Sequence, residues 1–202
     1  MIHHRSSATG PANREIVTRT ELVAVEGNAP AFPASDVILK GHRATVTWMD
    51  PDLLSGVDPR AIYGVGVVAF SGDDEIVMVR LNRGIEIPAG TVEAADTSLE
   101  HTARREAWEE ACITLGQLHL VQLMRVEWHD LAKPAVYVPI YAGKVASMPP
   151  FAQRHETYGR IIVSCRQYVD VLGFGTRRDR ERLIANAKSA VYQRFPACSS
   201  WL

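Results

Sequence analysis

The chain has 202 residues, 47% of them hydrophobic, which suits one globular domain with extensions better than two full domains. Its 22 Lys and Arg nearly balance its 23 Asp and Glu. That excludes the basic footprint of a general nucleic-acid binder and points to a small partner recognised locally.

Residues 1–15 are polar with Gly and Pro and read as a loose arm, with no apolar core of a signal peptide. EIVTRTELVAVEG (15–27) alternates as a strand would, and the prolines of GNAPAFPASD (27–36) predict a loop. HRATVTWMD (42–50) is a second strand, followed by PDLLSGVDPR (51–60) as a turn or short helical connection. IYGVGVVAF (62–70), β-branched and apolar, predicts a buried strand; SGDD turns, and EIVMVRL (75–81) returns antiparallel to it. Beyond a central helix, HLVQLMRVEW (119–128) and AVYVPIYAG (135–143) read as strands, and RIIVSC (160–165) as a weaker one. RRDRERLIANAKSAVYQRF (177–195) places Leu183, Ile184, Ala187, Ala190 and Val191 on one helical face. Strands flanking a helix, with a second helix at the end, predict an α+β sandwich. No apolar run approaches membrane-spanning length. Cys112, Cys165 and Cys198 stand far apart without a CxxC pair, so neither a zinc knuckle nor a disulfide framework is expected. A reducing, cytoplasmic location follows.

The chemistry concentrates in PAGTVEAADTSLEHTARREAWEEACI (88–113). Thr97 and Glu100 have capping-box spacing, which predicts a helix starting just after Thr97. Leu99, Ala103, Ala107 and Ala111 form its apolar stripe, small enough to lie close on a sheet. Glu106, Glu109 and Glu110 stand at the edge of that stripe. Like charges at this spacing weaken a helix, and Arg105 offsets only part of the repulsion. A solvated acidic face is the ordinary explanation of such a run. The preceding IPAG turn, where backbone carbonyls can face the helix, favours instead a hard divalent ion bound by oxygen ligands.

Gly90, Arg105, Glu106, Glu109 and Glu110 resemble the Nudix box, G-x5-E-x7-R-E-U-x-E-E-x-G-U, with U aliphatic; the lead-in EIVMVRLNRGIEIPAGTVE resembles the strand and turn that precede it. Three departures stand out. One extra residue separates Gly90 from Arg105, with Asp96 in the Glu place and Thr97 competing for it. That residue precedes the cap, so it is expected to lengthen the loop without rotating the glutamates. Cys112 replaces the box Gly, so the helix is expected to run on towards Gly116. Ala107 fills the aliphatic position.

The resemblance implies a Nudix-type α/β/α sandwich with a mixed sheet. The N-terminal β extension would span 1–58, the catalytic core 59–175 and a C-terminal helix packing on it 176–202. It also implies Mg2+- or Mn2+-dependent hydrolysis of a nucleoside diphosphate joined to another group, by an attacking water. Carried over by position, Glu106 and Glu110 are the main metal ligands, Glu109 a ligand or the general base, Ala89 a carbonyl ligand, and Arg105 the residue that holds the glutamates. Glu156, in the AQRHETYGR loop, is a candidate further metal ligand, with His155 beside it as a candidate base. Arg80, Arg83 and Arg125 are candidate phosphate contacts, and Trp48, Trp128 and Tyr137 candidate base-stacking residues. The partner is then a small nucleotide, with no nucleic acid and no membrane. The N-terminal strands resemble those of dimeric ADP-ribose and sugar-nucleotide hydrolases, so a homodimer is expected. Glu127 stands where many ADP-ribose pyrophosphatases carry Pro, and the RG before IEIPAG resembles nucleoside-triphosphate cleaners. A nucleoside-triphosphate pyrophosphatase and a catalytically silent nucleotide sensor are the alternatives.

Overall fold

The computed structural model describes residues 20–23, 32–39, 41–153, 155–172 and 175–192. The strands are β1 (Thr20–Val23), β2 (Phe32–Leu39), β3 (His42–Met49), β4 (Gly64–Gly72), β5 (Glu75–Leu81), β6 (Gly84–Glu86), β7 (Ala89–Thr91), β8 (Thr114–Trp128), β9 (Val136–Ser147) and β10 (Gly159–Ser164). The α-helices are α1 (Leu99–Ala111), α2 (Cys165–Val171) and α3 (Arg177–Tyr192), and two short 3-10 turns lie between β3 and β4. The sheet runs β1-β2-β3-β8-β9-β4-β5-β10, with β6 on β5 and β7 on β4. Every pairing is antiparallel except β4 with β9, where Gly66 faces Ile140.

Two apolar layers lie on either side of this mixed sheet. On one, Ala103, Ala107 and Ala111 of α1 pack against Val65, Val67, Val77 and Val79. Alanines at four-residue spacing let the helix backbone come close to the strands, as the stripe predicts. On the other, Leu183, Ile184 and Ala187 of α3 and Tyr168 and Val169 of α2 bury Val46, Trp48, Val68, Phe70, Ile76 and Met78. Burial of a side chain such as Leu183 contributes about 2 kcal/mol. The result is the expected α/β/α sandwich. No helix among the described residues is long and apolar enough to cross a membrane.

Four expectations need correction. Part of the loop predicted at 27–36 is strand β2. Pro33 faces Leu22 of β1 and precedes the β2–β3 ladder, which begins at Ala34, so its missing N–H costs no bond to β3. The cap of α1 is Ser98, whose Oγ accepts from His101 N–H, instead of Thr97. Starting one residue later leaves Asp96 free to accept from Thr102 Oγ1 and from Arg105. The helix stops at Ala111 instead of running towards Gly116, because Cys112 takes the left-handed conformation itself, at φ 51°. Trp48, a candidate for base stacking, is a core residue. Residues 1–19 and Cys198 lie outside the described residues, while Cys112 and Cys165 are free, buried thiols.

Candidate active site

β7, α1 and the loop before β10 bring the sequence candidates together. β7 lies beside β4, with Gly90 facing Val65. Gly90 is there for space: a Cβ on it would fall 2.0 Å from Glu106 Oε1. The Glu106 carboxyl therefore rests directly on the backbone of the turn. One helical turn on, Glu110 Oε2 accepts from the Ala89 N–H at 2.8 Å. Glu106 and Glu110 are 7% and 5% exposed, so both carboxyls are largely removed from water.

Arg105 is the guanidinium that ties this set together. It donates to Glu106 Oε1 at 2.7 Å, to Glu109 Oε2 at 3.1 Å and to the Thr91 carbonyl at 2.8 Å. Two further bonds, at 3.1 and 2.9 Å, run to the two oxygens of Asp96. The Asp96 carboxyl is held well below the usual carboxylate range, chiefly by Arg105, and Arg105 is raised in turn, chiefly by Asp96. Glu106 and Glu110 move the other way. Burial pushes Glu106 up, and pushes Glu110 up to about 7, with the Glu106 and Glu156 charges adding to the effect on Glu110.

The loop before β10 reaches the same place from the other side. His155 Nε2 lies 4.0 Å from Glu109 Oε2. Glu156 is bound by Arg83 at 3.0 Å, and Arg83 also makes a two-bond pair with Glu86. Arg83 is thus occupied by two carboxylates. Arg80 is exposed at the end of β5 and stacks its stem over Gly159. Arg125, on β8, has Glu127 and Tyr137 as its partners, two strands away from β4. Trp128 meets His42 edge to face.

The family model for the NUDIX domain matches residues 60–181, more than half of the chain. The chain belongs to the Nudix family. Solved structures of similar fold include a NUDIX hydrolase from Nitrosomonas europaea, 18% identical with TM-score 0.50, covering 63% of this chain and 88% of that one. The NUDIX domain of Shewanella oneidensis NrtR, complexed with ADP-ribose, is 16% identical with TM-score 0.50, covering 70% and 98%. A mutant of the Bacillus subtilis pyrophosphohydrolase BsRppH is 22% identical with TM-score 0.49, covering 59% and 72%. No curated protein matches the chain in sequence.

In this Nudix chain Asp96, of the two residues that compete for the place of the box Glu, is the one that pairs with Arg105. The extra residue is absorbed in the loop before Ser98, and the helix still points Glu106 and Glu110 at the turn. Sequence reasoning did not find the roles of Thr157 and Arg160. Thr157 Oγ1 donates to the Glu110 carbonyl, and Arg160 donates to those of Ala111 and Cys112. Neither belongs to a recognisable spacing, so only the fold could bring them to α1.

Among the described residues, no three Asp, Glu, His or Cys side chains already converge as a metal cage. Arg105 stands between Glu106 and Glu109, and Glu110 turns to a backbone amide. The donor chemistry nonetheless fits a hard divalent ion. The set is all oxygen, its Glu106 and Glu110 are buried, and a carboxyl raised to about 7 is one that a nearby cation would return to its charged form.

Proposed function

We propose that this Nudix hydrolase cleaves the diphosphate linkage of a nucleoside diphosphate joined to a second group, with ADP-ribose or a nucleotide sugar preferred, in a Mg2+- or Mn2+-dependent reaction. The observation that carries the reading is the burial of Glu106 and Glu110 against the Ala89–Gly90 turn, with Arg105 already committed to Asp96. Glu106, Glu110, Glu109, the Ala89 carbonyl and Glu156 would hold the ion. When bound, it supplies positive charge against the diphosphate oxygens and lets a water attack at neutral pH.

The chain's own residues divide the remaining work. Glu109 is more exposed at its side chain than its neighbour Glu106, 28% against 9%. That exposure supports Glu109, a ligand or the general base, as the group that accepts a proton from an attacking water. Arg105 keeps Glu106 and Glu109 at fixed spacing while Asp96 holds Arg105. Arg83, paired with Glu156, is the readier phosphate contact on leaving its carboxylates; Arg80, exposed on β5, shares its sheet face with Ile76 and Met78 and is the weaker candidate. Arg125, paired with Glu127, is a further candidate phosphate contact. A homodimer and a cytoplasmic location belong to the same proposal.

The test is a panel of ADP-ribose, nucleotide sugars, dinucleotides and nucleoside triphosphates with Mg2+ or Mn2+, scoring nucleoside monophosphate release. Glu110→Gln is expected to abolish turnover while leaving the fold intact. Wild-type turnover in that variant would overturn the site. Pyrophosphate release from triphosphates alone would favour a triphosphate pyrophosphatase, and tight ADP-ribose binding without turnover a sensor. A monomer in sedimentation at micromolar concentration would remove the dimer.

A further inference from the structure

Among the described residues, two that are not glycine have a left-handed backbone: Cys112 at φ 51° and His155 at φ 47°. Each such residue costs about 1 kcal/mol in local strain, and strain of this kind persists only where surrounding contacts enforce it. Both residues belong to one junction. Cys112 ends α1, and His155 lies in the loop between β9 and β10 that faces that end.

The contacts at this junction run between α1 and the loop. The Cys112 thiol donates to the Ala152 carbonyl at 3.3 Å, and the Ala152 N–H donates back to Cys112 Sγ at 3.4 Å. Arg160 donates to the carbonyls of Ala111 at 2.8 Å and Cys112 at 3.2 Å, and with its other nitrogen to the Pro149 carbonyl at 3.1 Å. Thr157, fully buried, donates from Oγ1 to the Glu110 carbonyl at 3.0 Å. Pro149, Ala152 and Thr157 are thus fastened to the last turn of α1 at three points. Between the second and third points stand His155, 4.0 Å from Glu109, and Glu156, bound to Arg83.

A glycine in place of Cys112 would end the helix with less strain, but it has no atom with which to hold Ala152. The sulfur contacts are what the strained residue provides in exchange. We infer that Cys112, Thr157 and Arg160 form a latch that fixes the β9–β10 loop on the end of α1 and so sets His155 and Glu156 against Glu109 and Glu110. The three are positioning residues for the reaction proposed above, and the inference rests on that reading. Misplacing a group of the site by about 1 Å costs up to about 100-fold in rate, so partial loosening is expected to cost about 10-fold.

The test compares Cys112→Gly and Cys112→Ser with the wild type. Cys112→Gly should still fold, since relief of strain offsets part of the lost thiol contacts and burial, and should keep its Mg2+-induced Tm shift. Its kcat should fall about 10-fold with KM nearly constant, and amide exchange of residues 151–153 and 155–158 should quicken about 10-fold. Cys112→Ser, whose hydroxyl can both donate and accept, should restore both. Wild-type exchange in Cys112→Gly would overturn the latch, and faster exchange with unchanged kcat would overturn its positioning role. A wild type inactive on the whole substrate panel would instead remove the hydrolase reading and the positioning role with it, while the exchange comparison would still decide whether the latch exists.

Discussion

Replacing Glu110 by Gln should make the metal-free protein more stable at alkaline pH. Raising the Glu110 carboxyl from its ordinary 4.5 to about 7 corresponds to a penalty of about 3 kcal/mol on the charged, folded form. The sign follows from linkage. A raised carboxyl contributes its stability in full below the unfolded value, and that stability is lost as pH rises through the folded value. The wild type should therefore lose stability between pH 4.5 and about 7, in the absence of divalent ions. Gln keeps an oxygen for the Ala89 N–H but must find a partner for its amide, so a net gain of about 1–3 kcal/mol is expected at pH 8. For a chain of this size that raises Tm by about 2–10 °C. At pH 5, where the folded carboxyl is protonated, the gap should shrink below about 1 kcal/mol. The assay is thermal unfolding in EDTA at pH 5 and pH 8, repeated at pH 8 with Mg2+. Added Mg2+ should raise the Tm of the wild type and leave that of Glu110→Gln unchanged. A Glu110→Gln variant no more stable than the wild type at pH 8 in EDTA would refute the argument that burial without a counter-charge governs this site.

Gly90→Ala should displace the Glu106 carboxyl, because the new methyl carbon would fall 2.0 Å from Oε1; turnover should drop about 100-fold, and unchanged kinetics would show that Glu106 tolerates another position. Asp96→Asn should lower Tm at pH 7, because a carboxyl held below its ordinary 3.8 by Arg105 stabilises the fold above that value and loses its contribution as pH falls through the depressed one. The gap between variant and wild type should accordingly close in acid; a constant gap would assign the effect to packing.

How much of this was legible in sequence depended on how local each signal was. The alanine stripe of α1 was readable because three residues at four-residue spacing have one physical explanation, and the glutamates at its edge came with it. Strands β4, β5, β8 and β9 announced themselves through continuous apolar runs. The cap is ambiguous in sequence because Thr97 and Ser98 offer equally good acceptor oxygens to a helix start; in the fold Ser98 Oγ takes the His101 N–H. α2 was hidden because its seven residues directly follow the apolar RIIVS run of β10, with Ser164 closing the strand and capping the helix at once. Trp48 looked available for a base because its burial is decided by α3, far along the chain. Thr157 and Arg160 act on backbone carbonyls of α1, and such contacts leave no pattern in residue spacing.

The parallel pairing of β4 with β9 carries a cost in time. Gly66 pairs with Ile140 across the whole of β5–β8 and α1, and contacts this distant in sequence slow folding. On the ribosome, the β4–β5 hairpin would have to wait with both flanks bare, β4 until β9 emerges and β5 until β10 follows. A truncated product ending before β9 would have no middle to its sheet, and would offer those open flanks to other nascent chains.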